Sequence, residues 1–149
     1  MTVLNVKQRL LPILFIALTP NACLQAQTID VTITGIKSSR GQVIVKVFTD
    51  QKSFDDNKAH SVFRFAKSTM KDGTISSRVA LNGGVYGFAL LDDQNDNGIM
   101  DYNIVGMPKE GFGFSDFYLS GFKKPKFDDF KFSLAATQQK KVLMKVRYL

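Results

Sequence analysis

The segment Asp92-Asp93-Gln94-Asn95-Asp96-Asn97-Gly98-Ile99-Met100-Asp101 holds the densest set of hard oxygen donors in the chain. Counted from Asp93, oxygen-bearing side chains fall at positions one, three, five and nine, with glycine at six. That spacing is the opening of a calcium loop. Ca²⁺ takes several oxygens at about 2.3–2.6 Å, so alternate residues of a tightly curled loop must point inward. On this reading Asp93, Asn95, Asn97 and Asp101 are side-chain ligands, Ile99 offers its backbone carbonyl, and Gly98 permits the turn. Position twelve is Ile104, not the glutamate that closes an EF-hand, and no helix pattern flanks the loop. A closing carboxylate has to come from Asp92, Glu110 or Asp116. So few charges imply weak binding, with a Kd of about 10⁻⁴–10⁻³ M. The competing reading is a plain turn. Asn97-Gly98 is a type I′ hairpin signal, and Asx side chains bond their own backbone in loops.

A second stretch, Glu110-Gly111-Phe112-Gly113-Phe114-Ser115-Asp116-Phe117-Tyr118, is rich in glycine and aromatic rings without alternation. It either presents Phe112, Phe114, Ser115 and Tyr118 to a ligand or folds over a sheet edge and buries the rings. Gly111-x-Gly113 lacks a third glycine and a surrounding βαβ unit, which excludes dinucleotide binding. Acid–base and nucleophilic chemistry has few carriers. His60 is single and lies in a polar stretch with Asp55 and Asp56, Ser115 has no nucleophile elbow, and Glu110 is the one glutamate. No catalytic residue is assigned, and the expectation is a protein that is not an enzyme. A single Cys excludes a disulfide framework and a cysteine-based zinc site.

Strands must position these loops, because period-two alternation dominates from Ile29 onward. Ile29, Val31 and Ile33 share one face, as do Val43, Val45 and Val47; Ile75, Ser77, Val79 and Leu81; and Val142, Met144, Val146 and Tyr148. Phe63 and Phe65 flank Arg64, Val85 to Leu91 is nearly continuous apolar sequence, and Phe130, Phe132 and Leu134 alternate with Lys131 and Ser133. Turn signals at Ser38-Ser39-Arg40-Gly41, Lys71-Asp72-Gly73 and Asn82-Gly83-Gly84 separate the strands. Residues 50–60 suit a short helix or a long loop. The pattern predicts an all-β fold, an antiparallel β-sandwich of about seven strands, immunoglobulin-like or transthyretin-like, in one domain over 27–149.

The first 26 residues read as an address. Lys7 and Arg9 precede an apolar run from Leu10 to Leu18, followed by small residues up to Ala26. That order is a signal peptide, and the run is too short to span a bilayer. Cleavage after Ala26 predicts an exported protein, periplasmic or secreted. The alternative is a lipid anchor on Cys23, although Thr19-Pro20-Asn21-Ala22 makes a poor lipobox. Losing Lys7 and Arg9 takes the 20 basic residues to 18 against 13 acidic, a charge of +5. The basic residues are not interleaved with aromatics in a stacking pattern, so nucleic acid is not expected as a partner. Outside the cytoplasm an envelope or extracellular component is the expected counterpart.

Three blocks carry a resemblance: Gly84-Val85-Tyr86; then Asp93-x-Asn95-x-Asn97-Gly98-x-x-Asp101-x-Asn103; then Gly106-x-Pro108-x-Glu110-x-x-Gly113-Phe114-Ser115. With Pro125-x-Phe127-x-Asp129-x-x-Phe132 they resemble the bacterial family known as domain of unknown function 2141. The resemblance runs over roughly 29–148. It implies a small exported domain and no particular activity. Asp92 stands where the family pattern is expected to carry histidine, which here adds an oxygen to the loop.

These readings combine into an exported module with a calcium-binding-type loop that binds an envelope component, a glycan or a protein. The alternatives are a structural module of a surface assembly without ion dependence, and a small hydrolase built on Glu110, His60 or Ser115.

Overall fold

The computed structural model describes residues 26–135 and 139–149. The expected signal peptide and the Cys23 anchor fall outside the described residues, Ala26 excepted. Among the described residues no helix is long and apolar enough to cross a membrane.

The chain is mostly β, in two sheets. In the three-stranded sheet β1 (Gln27–Thr34) lies between β4 (Ile75–Leu81) and β8 (Lys140–Lys145). In the other sheet β3 (Ser61–Ala66), β2 (Gln42–Phe48), β5 (Gly84–Asp93) and β6 (Gly111–Phe114) follow in that order. A last strand, β7 (Lys131–Leu134), pairs with the early half of β5, beside β6. The register places alternating apolar positions opposite one another, as in Ile29↔Val79 and Val45↔Leu90.

The inward sets from both sheets merge into one buried core, with Ile29, Val31 and Met144 facing Val45, Val47 and Phe88. Burying such side chains is worth about 1.5–3 kcal/mol each before conformational entropy is charged against it. The expectation of a wholly antiparallel fold is corrected at β1, which pairs parallel with β8, Val31 opposite Val142. Among the described residues eight strands form rather than about seven. The extra one is β6, whose Gly-Phe-Gly-Phe sequence carries no apolar–polar alternation.

A second apolar cluster lies on the outer face of the five-stranded sheet. Helix α1 (Gln51–Asp55) and helix α2 (Phe127–Phe130) bring Phe54, Phe127 and Phe130 against Phe48 and Phe114. The rings meet edge to face, Phe54 and Phe130 at 4.9 Å and Phe48 and Phe54 at 5.3 Å. Gly87 makes room for this layer, because a Cβ there would lie 2.5 Å from the Phe130 ring. Asp50 caps α1 by accepting from the Ser53 N–H at 2.7 Å, and that bond holds its carboxyl below the usual range. Beyond β6 and β8 the two sheets are stitched together. The Phe112 and Arg147 backbones exchange hydrogen bonds of 2.9 and 2.7 Å, which satisfies what would otherwise be an open edge.

Candidate functional site

β5 delivers two carboxylates to opposite faces of its sheet. Asp93 turns outward, under the loop that follows. Its Oδ1 accepts from the Asn97 N–H at 3.1 Å, and its Oδ2 from the Gly98 N–H at 3.0 Å and the Gln42 amide at 3.1 Å. Asn95 and Asn97 continue the pattern, each side-chain oxygen accepting the backbone N–H two residues ahead. Both amide groups donate to Asp101 Oδ2, at 2.7 and 2.9 Å. The side chains of Asn95, Asn97 and Asp101 therefore converge on one point, with Asp93 buried behind the loop. Ile99 donates its N–H to Asn97 and leaves its side chain in solvent. Positive φ occurs at Asp96 and Gly98 but not at Asn97, so the type I′ hairpin suggested by Asn97-Gly98 does not form.

Glu110 clamps this loop from the other side. Its carboxylate accepts from the Gln94 N–H at 3.0 Å and the Asp101 N–H at 3.4 Å, in a buried position. The tie between the loop and the segment after it is thus made directly by a carboxylate on backbone N–H groups. Asp116 is remote, facing the Leu143 N–H and Lys140.

Asp92 does not join the loop. It points into the core end, fully buried, where its Oδ1 takes the ammonium of Lys67 as an ion contact without hydrogen-bond alignment. Its Oδ2 accepts from the Tyr148 hydroxyl at 2.5 Å and the Gln94 amide at 3.3 Å. Lys67 also donates to the Arg40 carbonyl at 2.5 Å, and the Tyr148 oxygen accepts from the Lys37 N–H at 3.0 Å. Burial, and then the bond to Asp92, push the Tyr148 phenol above its ordinary value of 10.0.

The native phenol keeps its proton where the unfolded one loses it, so this contribution to stability is full below pH 10 and declines above it. Tyr148→Phe is expected to flatten the alkaline fall in urea midpoint relative to the parent, measured over about pH 9–11.

The sequence signal for Lys67, which had not been singled out, is its register. Phe63 and Phe65 face inward, and Lys67 takes the next place on the same face, as Asp92 does after Phe88 and Leu90.

The aromatic stretch divides. Phe114 is buried in the outer cluster and Phe112 is half-buried beside it, with ring centres 6.3 Å apart. Ser115 is turned inward, its Oγ accepting from the Phe88 N–H at 2.9 Å and donating to the Phe130 carbonyl at 2.6 Å. Tyr118 is exposed, with the Lys145 ammonium 5.1 Å from its ring centre. His60 is exposed, 5.9 Å from the Tyr86 ring.

One further feature had no sequence signal. The loop following Asp93 and the segment 119–125 enclose two adjoining hollows of about 380 and 420 Å³. They share Phe54, Ala89, Leu90, Met100, Tyr102 and Lys124, and the larger continues past Phe112 to Phe122. This cleft is largely apolar, with Lys46, Asp55 and Lys124 at its margin.

No curated protein and no solved structure matches the chain. A family model does, the one described as "Uncharacterized protein conserved in bacteria (DUF2141)". It covers residues 31–142, from β1 through the loop and the cleft into β8, and the chain therefore belongs to that bacterial family.

Proposed function

We propose that the protein is an exported, non-enzymatic binding module. Its Asp93–Asp101 loop takes Ca²⁺ weakly and borders a cleft that receives an envelope component, a glycan or a protein. The proposal includes export to the periplasm or the medium, and a sandwich of immunoglobulin-like or transthyretin-like kind. One observation carries the ion reading: the side chains of Asn95, Asn97 and Asp101 meet at a point in a loop already curled by Asp93 and Gly98. Each amide oxygen uses one lone pair on a backbone N–H and retains a second. A cation arriving there would take the place of the two amide donors on Asp101. The donor set is poor in charge. Among the described residues no group of three His, Cys, Asp or Glu is placed to hold a metal, so affinity stays in the weak range.

The non-enzymatic reading is supported by the engagement of two of the three hydrolase candidates and the placement of the third. Ser115 is buried and bonded, Glu110 is committed to backbone N–H groups, and His60 lies at the surface beside Tyr86.

A second reading has its own observation. The loop is already closed by hydrogen bonds to Asp93 and Glu110, which suits a structural module with no ion dependence. Thermal unfolding in millimolar Ca²⁺ against EDTA separates the two. A site of millimolar or sub-millimolar Kd is expected to raise Tm by about 5 °C, and Asp101→Ala to abolish the rise. Asp101 is the informative position, because Asp93→Ala would release buried N–H groups whether or not an ion binds. A Tm unmoved by Ca²⁺ leaves the structural module as the function.

A further inference from the structure

We infer that the turn Asn103–Gly106, together with Phe122, forms a docking surface for an anionic lipid bilayer. The turn is firmly built. Gly106 N–H reaches the Asn103 carbonyl at 3.0 Å, Asn103 N–H reaches the Met107 carbonyl at 2.9 Å, and the Asn103 side chain accepts from the Val105 and Met107 N–H groups. Asparagine at the first position and a positive-φ glycine at the fourth are ordinary turn chemistry. The two residues between them are not. Ile104 is fully exposed and Val105 is 74 % exposed. A loose loop could fold such side chains inward, but this one is held by four hydrogen bonds with its two β-branched residues in water.

The end of the turn, Gly106, lines one hollow with Phe122. Tyr102, at the base of the turn, and Phe122 line the same hollow and are 58 % and 79 % exposed. Large exposed apolar groups concentrated in one place mark an interaction site.

Charge selects the partner. Lys109 follows the turn, Lys123 follows Phe122, and neither has an ion-pair partner among the described residues. Lys124 borders the cleft, paired with Asp55. The Arg147 guanidinium lies 5.7 Å from the Phe122 ring centre and bonds the Leu119 and Gly121 carbonyls, which fixes the second loop as firmly as the first. The nearby carboxylate of Asp101 is occupied by Asn95 and Asn97, while Asp96 is exposed on the adjoining loop.

Protruding aliphatic and aromatic tips with lysines behind them fit a soft interface, where apolar groups enter the acyl boundary and ammonium groups meet phosphates. The surface would act peripherally, by loops. This inference rests on the export in the proposed function, with the bilayer as its envelope component, and does not require Ca²⁺.

The test is co-sedimentation of the purified exported chain with phosphatidylcholine–phosphatidylglycerol vesicles, and with phosphatidylcholine alone, in EDTA and in Ca²⁺. Binding is expected on the anionic vesicles in EDTA. Ile104→Ser/Val105→Ser is expected to weaken it about a hundredfold, from the apolar area lost, at unchanged Tm. Lys109→Gln/Lys123→Gln is expected to weaken it about tenfold in a salt-dependent way. No sedimentation in either buffer, or sedimentation that both double variants leave intact, overturns the proposal. So does a parent dimer that the Ile104→Ser/Val105→Ser variant converts to monomer without any vesicle binding, since a second copy would then be the occupant. Vesicle binding in EDTA by a protein whose Tm ignores Ca²⁺ upholds the lipid surface and overturns the calcium reading alone.

Discussion

Lys67→Met is expected to destabilise the protein by roughly 3–5 kcal/mol, because it breaks a buried ion pair from one side. The Lys67 side chain is 1 % exposed and its partner Asp92 is 0 % exposed. Removing the ammonium leaves a carboxylate with no opposite charge and no route to water, retaining only the Tyr148 hydroxyl and the Gln94 amide. The pair itself is a different matter. Two ions taken out of water lose nearly as much solvation as they gain in attraction, so Lys67→Met/Asp92→Leu is expected to recover most of the loss. Urea midpoints of the parent, the single and the double variant measure both quantities. A single variant within 1 kcal/mol of the parent, on the order of an exposed pair, would mean that water reaches Asp92.

Gly41→Ala is expected to cost about 3 kcal/mol or more, and Gly98→Ala only about 1–2 kcal/mol. Both glycines have positive φ, +71° and +79°, so alanine brings the same backbone strain to each. Their surroundings differ. A Cβ on Gly41 would lie 2.0 Å from the Asp93 carbonyl oxygen and 2.8 Å from two backbone atoms of Gln94, whereas nothing lies within 4 Å of one on Gly98. Backbone cannot rotate away as a side chain can, so Gly41→Ala must displace the point where β5 gives way to the Asp/Asn loop. Chemical denaturation of the two variants separates strain from collision. Equal losses would show that the Gly41 turn shifts freely.

Much of this architecture can be read from alternation alone. The inward sets of β1, β2, β4 and β8 are where Ile29, Val43, Ile75 and Val142 place them, because strand sterics are local and a buried face needs apolar side chains. Pairing is not local. Nothing in Gln27–Thr34 says that one neighbour will be antiparallel and the other parallel, and nothing in Gly111–Phe114 marks a strand, since its glycines suit a close approach that exists only in the fold. In the loop, the spacing is a local instruction, and Asn95, Asn97 and Asp101 converge while Asp93 turns to the backbone behind them. Asp92 and Lys67 show the limit. Each occupies an inward register position that calls for an apolar residue. A buried charge at such a position implies a partner without naming it, and only the packing of the two sheets brings these two together with Tyr148.

The central place of β1 in its sheet bears on the order of events during folding. Val31 lies between Ser77 of β4 and Val142 of β8, and the second of these is 111 residues away in sequence. Loop-closure entropy over such a distance must be met before the parallel pair returns any stability, so this sheet forms late and slowly. Without Val142, Met144 and Val146 the core built by the other strands lacks one neighbour of β1. The three-stranded sheet is thus the part of the fold whose completion lags behind the nearer pairs of β2 with β3 and β5.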